Sequence, residues 1–333
     1  VEPEAAEGAL RIPAGELAAG GPPVWHAGLR VIAELTERSL TADPVQLLDL
    51  VARVRCRGWG IALDDVGADR NSLALLPFLR PDVIKLDLRL IQDRPSAAIA
   101  EIFSAVNAES ERSGTAVLAE GIENREHLSM ARSLGATLGQ GWLFGRPSAA
   151  PEIIPAPAAG AITINSRDPQ VSAATPFMLA AAALPPRLGR KDLLIETSKH
   201  LERQAMHSGE ATAVLATFQD VAFFTRDTQR RYRQLVEKAA FVGVLGQGMP
   251  PFPIPGIRGG LLAPTDLLVS EWTIAVIGPH FASCLTARDL GDSGPDMQRR
   301  FEFVLSHNRE LAIKAAAALF SRISPSRNSQ AGP

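Results

Sequence analysis

No uninterrupted apolar run in this chain approaches the length needed to span a bilayer, so nothing in it reads as a membrane anchor. The opening residues, VEPEAAEGAL, are acidic and lack the basic start and hydrophobic centre of a signal peptide. Cysteine is scarce: Cys56 and Cys284 stand far apart and form no pair with metal-ligand spacing. They read as reduced, ordinary thiols rather than nucleophiles, and with the missing leader they set the expectation of a cytoplasmic protein. Basic charge is not in excess either. A formal charge of -2 over 333 residues gives no reason to expect a nucleic-acid polymer or a membrane as partner, while nucleotides and small phosphates stay open. A starting methionine is also missing, and Val1 fits either an excerpt of a longer chain or a valine start codon.

What the chain does have is a ladder. Five short apolar runs in the first 145 residues each end in acidic or amide side chains. They are VIAEL with Glu34 and then Glu37, GIALDDV with Asp64 and Asp65, VIKLD with Lys85 and Asp87, VLAEGIE with Glu120 and Glu123, and LGQGWLF with Gln140. Carboxylates at the ends of consecutive buried strands are what a divalent-metal phosphate site needs, because hard cations take oxygen ligands and neutralise phosphate charge. The pattern points to part of a hydrolase.

Between these runs lie PVQLLDLVARVRCRG, SLALLPFL, SAAIAEIFSAVNAESERSG and NREHLSMARSLG, with apolar residues at helical spacing and glycine closing three of the four. Near-continuous apolar strands alternating with helices predict a parallel sheet covered on both faces. Acidic groups at the carboxyl ends of strands suit a (β/α)8 barrel, although an open doubly wound sheet also binds ligands there. Only about five βα units can be counted, fewer than a closed barrel requires.

Residues 148–175 are rich in alanine and proline without a sustained period, and read as a flexible linker. A second folded segment follows over 176–290. Its helix candidates are DLLIETSKHLERQAMHSG and TRDTQRRYRQLVEKA, and its strand candidates TAVLATFQD, FVGVLG and WTIAVIG. The stretch 291–323 is expected to form a C-terminal amphipathic helix, and residues 324–333 a disordered tail.

The blocks ELTE (34–37), DDVG (64–67), IKLD (84–87), AEGIE (119–123) and QGWLFGRP (140–147), in that order, resemble the EAL domain, the bacterial cyclic-di-GMP phosphodiesterase family with a modified TIM-barrel fold. Each four-letter match is weak alone, and five in order are specific. The resemblance covers residues 1–147 and implies an α/β fold, a partial TIM-like (β/α) barrel of the EAL type. It further implies that Glu34, Asp64 and Asp65 hold divalent ions, Mg²⁺ or Mn²⁺ in a two-metal site, with Asp64 bridging the two ions. Lys85 would stand beside the attacking water and Glu120 would act as base or ligand. Glu37 would support the loop after Asp65, and Asp87, Glu123 and Gln140 would brace the rim.

The sequence departs from that family in two places. The Glu-Ala-Leu segment and metal-binding Asn of its first strands are not found, so this form is expected to show little turnover. The loop reads VGADRNSL where the family usually has an FGTGYSSL-like sequence, which puts its coupling of metal binding to dimerisation in question. The second segment, through LLIETSKHLERQA, ATFQDVAFFTRDTQRRY and EWTIAVIGPHF, resembles the DICT domain, a smaller α/β sensory module.

Blander readings stand beside these. Asp64 or Asp87 alone would serve as a helix N-cap. The aromatic group Phe218, Phe223, Phe224, Tyr232 and Trp272 suits a core as well as a pocket, and RDTQRRYR suits a solvated helix face. The expected function is cyclic-di-GMP signalling: hydrolysis of cyclic-di-GMP to linear pGpG under control of a sensor that takes an unknown small molecule or protein signal, with a homodimer possible. The alternative is a regulatory protein that binds cyclic-di-GMP or a partner without catalysis.

Overall fold

Apolar side chains on both faces of short strands drive the first half into a covered parallel sheet. The computed structural model describes residues 31–36, 44–67, 70–147, 162–164 and 174–323. Its first five strands are β1 (Ile32–Thr36), β2 (Gly60–Val66), β3 (Val83–Leu86), β4 (Ala116–Ala119) and β5 (Leu138–Gly139). Each pairs with the next in parallel, giving the order β1-β2-β3-β4-β5. A doubly wound sheet reverses its strand order at a switch point, whereas a barrel adds each strand beside the last. This half is therefore a partial TIM-like arc.

The connecting helices are α1 (Pro44–Cys56), α2 (Leu76–Leu79, after a 3₁₀ turn over Arg70–Leu75), α3 (Leu88–Gln92), α4 (Ala97–Ser113) and α5 (Arg125–Ser133). Local chemistry sets their ends. Ser96 caps α4 by accepting from the Ile99 amide, and Gly114 closes it in the left-handed conformation at φ 71°. At the amino end of the sheet the buried Asp82 accepts from the Ile61 amide at 2.7 Å and pairs with Arg55 at 2.5 Å. An acid there holds strands and helix together, away from the opposite rim.

The second half is a seven-stranded mixed sheet in the order β6-β12-β11-β10-β7-β8-β9. Its strands are β6 (Arg187–Arg190), β7 (Ala213–Asp220), β8 (Phe241–Gln247), β9 (Ile257–Leu261), β10 (Glu271–Ile277), β11 (Ala282–Asp289) and β12 (Arg300–Ser306). The helices are α6 (Pro176–Ala183), α7 (Lys191–His207), α8 (Arg226–Val236) and α9 (Arg309–Phe320). Strand residues alternate between two cores. Val214 and Ala216 join Leu194, Leu201 and Tyr232 on the α7–α8 side, while Ala213 and Leu215 join Ala180, Leu311 and Leu319 on the α6–α9 side.

The expected helix over 291–323 is instead a strand followed by the twelve-residue α9. The reason is a period of two: Phe301, Phe303 and Leu305 all pack on the α7–α8 side. Four of the five aromatic residues pack in or against the core, and Phe223 is exposed. Phe218, Phe224 and Tyr232 form a triangle with ring centroids 5.1–5.6 Å apart, and Trp272 packs on Phe301 at 6.0 Å. Most of the 148–175 linker and the whole 324–333 tail lie outside the described residues, as do residues 1–30. Among the described residues no helix is long and apolar enough to cross a membrane.

The α6–α9 core does not stop at the second sheet. It runs on into the first half, so Leu63, Leu75 and Leu79 belong to the same cluster as Leu319 and Phe320. Phe320, fully buried, meets Phe78 of the first half and Phe241 of the second, each with ring centroids 4.8 Å away. Phe320→Ala should lower stability by about 3–5 kcal/mol, since it opens a cavity between two rings. Urea unfolding followed by tryptophan fluorescence measures this, and a loss below about 1 kcal/mol would show that the junction is loosely packed.

Candidate active site at the carboxyl rim of the first sheet

Lys85 organises the rim. It projects from β3 between its neighbours β2 and β4, so its ammonium reaches carboxylates on either side. Nζ lies 2.7 Å from Asp64 Oδ1, 2.9 Å from Glu120 Oε1 and 3.2 Å from Glu34 Oε1. Burial by itself would lower the Lys85 pKa, but the contacts and negative charges of Asp64 and Glu120 outweigh it and hold the ammonium above its ordinary range. Burial pushes Glu120 above the usual carboxylate range. Contact with Lys85 pulls it partly back, and the charges of Asp64 and Asp65 raise it further.

Asp64 and Asp65 are consecutive, and in a regular strand they would point to opposite faces. Here the β2–β3 register shifts between Leu63 and Val66, and Asp65 takes the left-handed conformation at φ 59°. The irregularity gathers both carboxylates: ligand oxygens of Asp64, Asp65 and Glu120 all lie within 4.8 Å of one another. Asp64 Oδ1 is buried against the Lys85 ammonium at 2.7 Å. Three hard oxygen donors this close together fit a divalent cation.

The other expected residues fare differently. Glu34 reaches Lys85 but is not in the three-carboxylate group. Asp87 turns away and caps α3, accepting from the Arg89 amide at 2.8 Å and pairing with the Arg89 side chain at 3.0 Å. Its bland reading is the structural one. Glu123 and Gln140 are exposed, and Gln140 contributes through its backbone, which accepts from Ile122 and donates to Ala119. Glu37 lies outside the described residues.

Sequence reading passed over the parts that shape the rim. The Gln92 side-chain amide donates to the Gly121 carbonyl at 2.8 Å. Gly141, at φ 154°, sits so close to Ile122 that a Cβ would stand 2.2 Å from its carbonyl oxygen. The available signal was a glycine within two residues of three rim positions: Gly67 after Asp65, Gly121 after Glu120, and Gly141 after Gln140.

Comparison with known proteins agrees with this architecture. Residues 26–147 match the family model of the EAL domain, and residues 176–290 match that of the sensory domain in diguanylate cyclases and two-component systems, DICT. The chain thus joins an EAL segment to a DICT segment. The cyclic di-GMP phosphodiesterase RocR of Pseudomonas aeruginosa is 34% identical over 118 residues, 35% of this chain and 30% of RocR. NbdA, a cyclic di-GMP phosphodiesterase of the same organism, is 36% identical over 115 residues, 34% of this chain and 15% of NbdA. The chain therefore spans under a third of the length of either curated relative. Among solved structures, Klebsiella pneumoniae BlrP1 in a manganese/cy-diGMP complex is 36% identical, covering 37% of this chain and 32% of that one, with a TM-score of 0.34.

The left-handed backbone at Asp65 tolerates few side chains. Asp65→Asn should leave stability nearly unchanged, whereas the β-branched Asp65→Val should cost about 1–3 kcal/mol through backbone strain. Chemical denaturation of both variants measures this, and equal stability would mean that the backbone at this position is not strained.

Proposed function

We propose that this chain acts in cyclic-di-GMP signalling, binding the cyclic dinucleotide at the rim of β1–β5 and hydrolysing it to linear pGpG under the influence of its DICT segment. The observation that carries this reading is the Asp64, Asp65 and Glu120 group, whose ligand oxygens lie within 4.8 Å of one another with the Lys85 ammonium against Asp64 and Glu120, in a segment similar to two cyclic di-GMP phosphodiesterases.

A divalent ion, Mg²⁺ or Mn²⁺, held by Asp64, Asp65 and Glu120 would supply an activated water and neutralise phosphate charge. The chain's own groups supply the rest. Lys85 offers a fixed positive charge to the phosphoryl oxygens as their charge grows. Glu120 turns Oε1 to Lys85, and in a site where Asp64 and Asp65 hold the cation its Oε2 would be the acceptor for the proton of the attacking water. Gln92, by holding the Gly121 carbonyl, keeps the loop after Glu120 in place. The shared core around α9 offers the DICT segment a route by which to bias this rim.

A second reading, binding without turnover, is favoured by one observation. The Lys85 ammonium already stands among Asp64, Glu120 and Glu34, so the chain partly neutralises its own carboxylates.

Calorimetry and product chromatography on the purified 333-residue chain with Mg²⁺ or Mn²⁺ distinguish these readings. Expected is cation-dependent binding of cyclic-di-GMP with little release of linear product, because the Glu-Ala-Leu and Asn motifs are not found in this sequence. Joined to an upstream segment that supplies those motifs the chain should turn over, and Asp64→Asn and Glu120→Gln should then each cut turnover at least about tenfold while the fold persists. Binding without product by that extended chain selects the second reading. No binding at any cation concentration overturns both.

A further inference from the structure

One edge of the second sheet is bare among the described residues. β6 pairs with β12 on one side, and no strand stands on the other. Leu188, in the middle of this edge strand, is 66% exposed, and Leu193 at the start of α7 is exposed as well. Beside them lies an open groove of about 530 Å³, lined by Leu188, Gly189, Arg190, Asp192, Leu193 and Arg300.

The ladder fixes which backbone groups this edge presents. Residues of an antiparallel pair alternate between bonding to the neighbouring strand and turning away from it. The Lys191 amide donates to the Arg299 carbonyl at 2.9 Å, and on the far side of β12 the Leu290 amide donates to the Arg300 carbonyl at 3.3 Å. With Arg190 opposite Arg300 and Gly189 opposite Phe301, it follows that Arg187 and Gly189 bond to β12 while Leu188 and Arg190 turn outward. Arg190 is also the residue that caps α7, so its carbonyl is taken by the first turn of that helix. Pro186, two residues before Leu188, offers a carbonyl but no amide.

This set of donors and acceptors is its own complement about a two-fold axis at Leu188. A second copy laid antiparallel, Leu188 to Leu188, exchanges both backbone groups of the two leucines, and each Arg190 amide meets the carbonyl of the partner's Pro186. The amide that proline lacks falls opposite the Arg190 carbonyl that α7 already uses. Charge agrees, because Arg187 faces the partner's Gly189 and Arg190 faces the partner's Pro186, so no like charges stand directly opposite. Sliding the register one step one way sets the two copies' Arg187 side chains against each other. One step the other way sets the Leu188 amide against the occupied Arg190 carbonyl.

We propose that β6 is a dimerisation edge, where two copies of this chain join antiparallel about Leu188 into one continuous sheet. The contact uses none of the rim residues and stands whether or not the chain hydrolyses cyclic-di-GMP.

Sedimentation equilibrium of the full 333-residue chain is the test. Expected is a concentration-dependent dimer. Leu188→Pro removes an outward amide that the β6–β12 ladder does not use, and should weaken dimerisation at least about tenfold with an unchanged circular dichroism spectrum. A wild-type chain that stays monomeric, as it would if the edge is left bare or kept for another protein's strand, overturns the proposal. So does a dimer that Leu188→Pro leaves intact. If Leu188→Pro does not fold, cross-linking decides the matter, since Cα atoms of a hydrogen-bonded antiparallel pair lie about 5.5 Å apart, within disulfide reach. In a Cys56→Ser background, Leu188→Cys should form a covalent dimer under mild oxidation, and Arg187→Cys, two residues out of register with its counterpart, should not. No cross-link at position 188, or equal cross-linking at both positions, overturns it.

Discussion

Helix α9 is apolar on nearly every side, and much of the architecture depends on what surrounds it. Eight of its twelve residues are buried, including Leu311, Ile313, Leu319 and Phe320. A helix with so wide an apolar surface needs neighbours on more than one flank. It finds them in α6 and the second sheet on one side and in the α2 region of the first half on the other. Its alanines at 315, 316 and 318 let the sheet approach closely, while Phe320 reaches past them into the first half. Two segments that match different families thereby come to share one interior.

The rim works by a different economy of parts. Hydrophobic packing brings β2, β3 and β4 side by side, and that adjacency alone places Lys85 between Asp64 and Glu120. Opposite charges then favour one another's ionised forms within a half-buried setting, against a burial that disfavours both. A water-filled version of the same cluster would be weaker, because screening would reduce both the attraction to Lys85 and the repulsion among the carboxylates. Burial thus strengthens the electrostatic coupling of the rim.

Much of this was legible in the residues. Continuous apolar runs marked β1 to β4, and Gly58, Gly114 and Gly135 marked helix ends, all with positive φ in the structure. The acids at strand ends pointed to Asp64, Asp65, Lys85 and Glu120. What escaped was governed by contacts distant in sequence or by weak local patterns. β9 carries Gly259 and Gly260, which have no side chains to show a period and are needed because Pro250 and Arg322 carbonyls press against them. β6 is a polar edge strand, and β11 is built largely from small residues. Asp87 kept its place in the motif but spends its carboxylate on a helix cap, a choice made by the turn that follows it.

The left-handed turn at Asp65 also limits how this position can change over time. Glycine, asparagine and aspartate are the residues that enter that region of backbone space at small cost. Of the three, aspartate alone brings a negative charge. A lineage that drifts here without straining the strand must surrender the carboxylate, and one that keeps a carboxylate by moving to glutamate must accept an unfavourable backbone. Steric geometry thus narrows the position to a single letter wherever cation binding is under selection, and frees it to vary toward asparagine or glycine once that selection lapses.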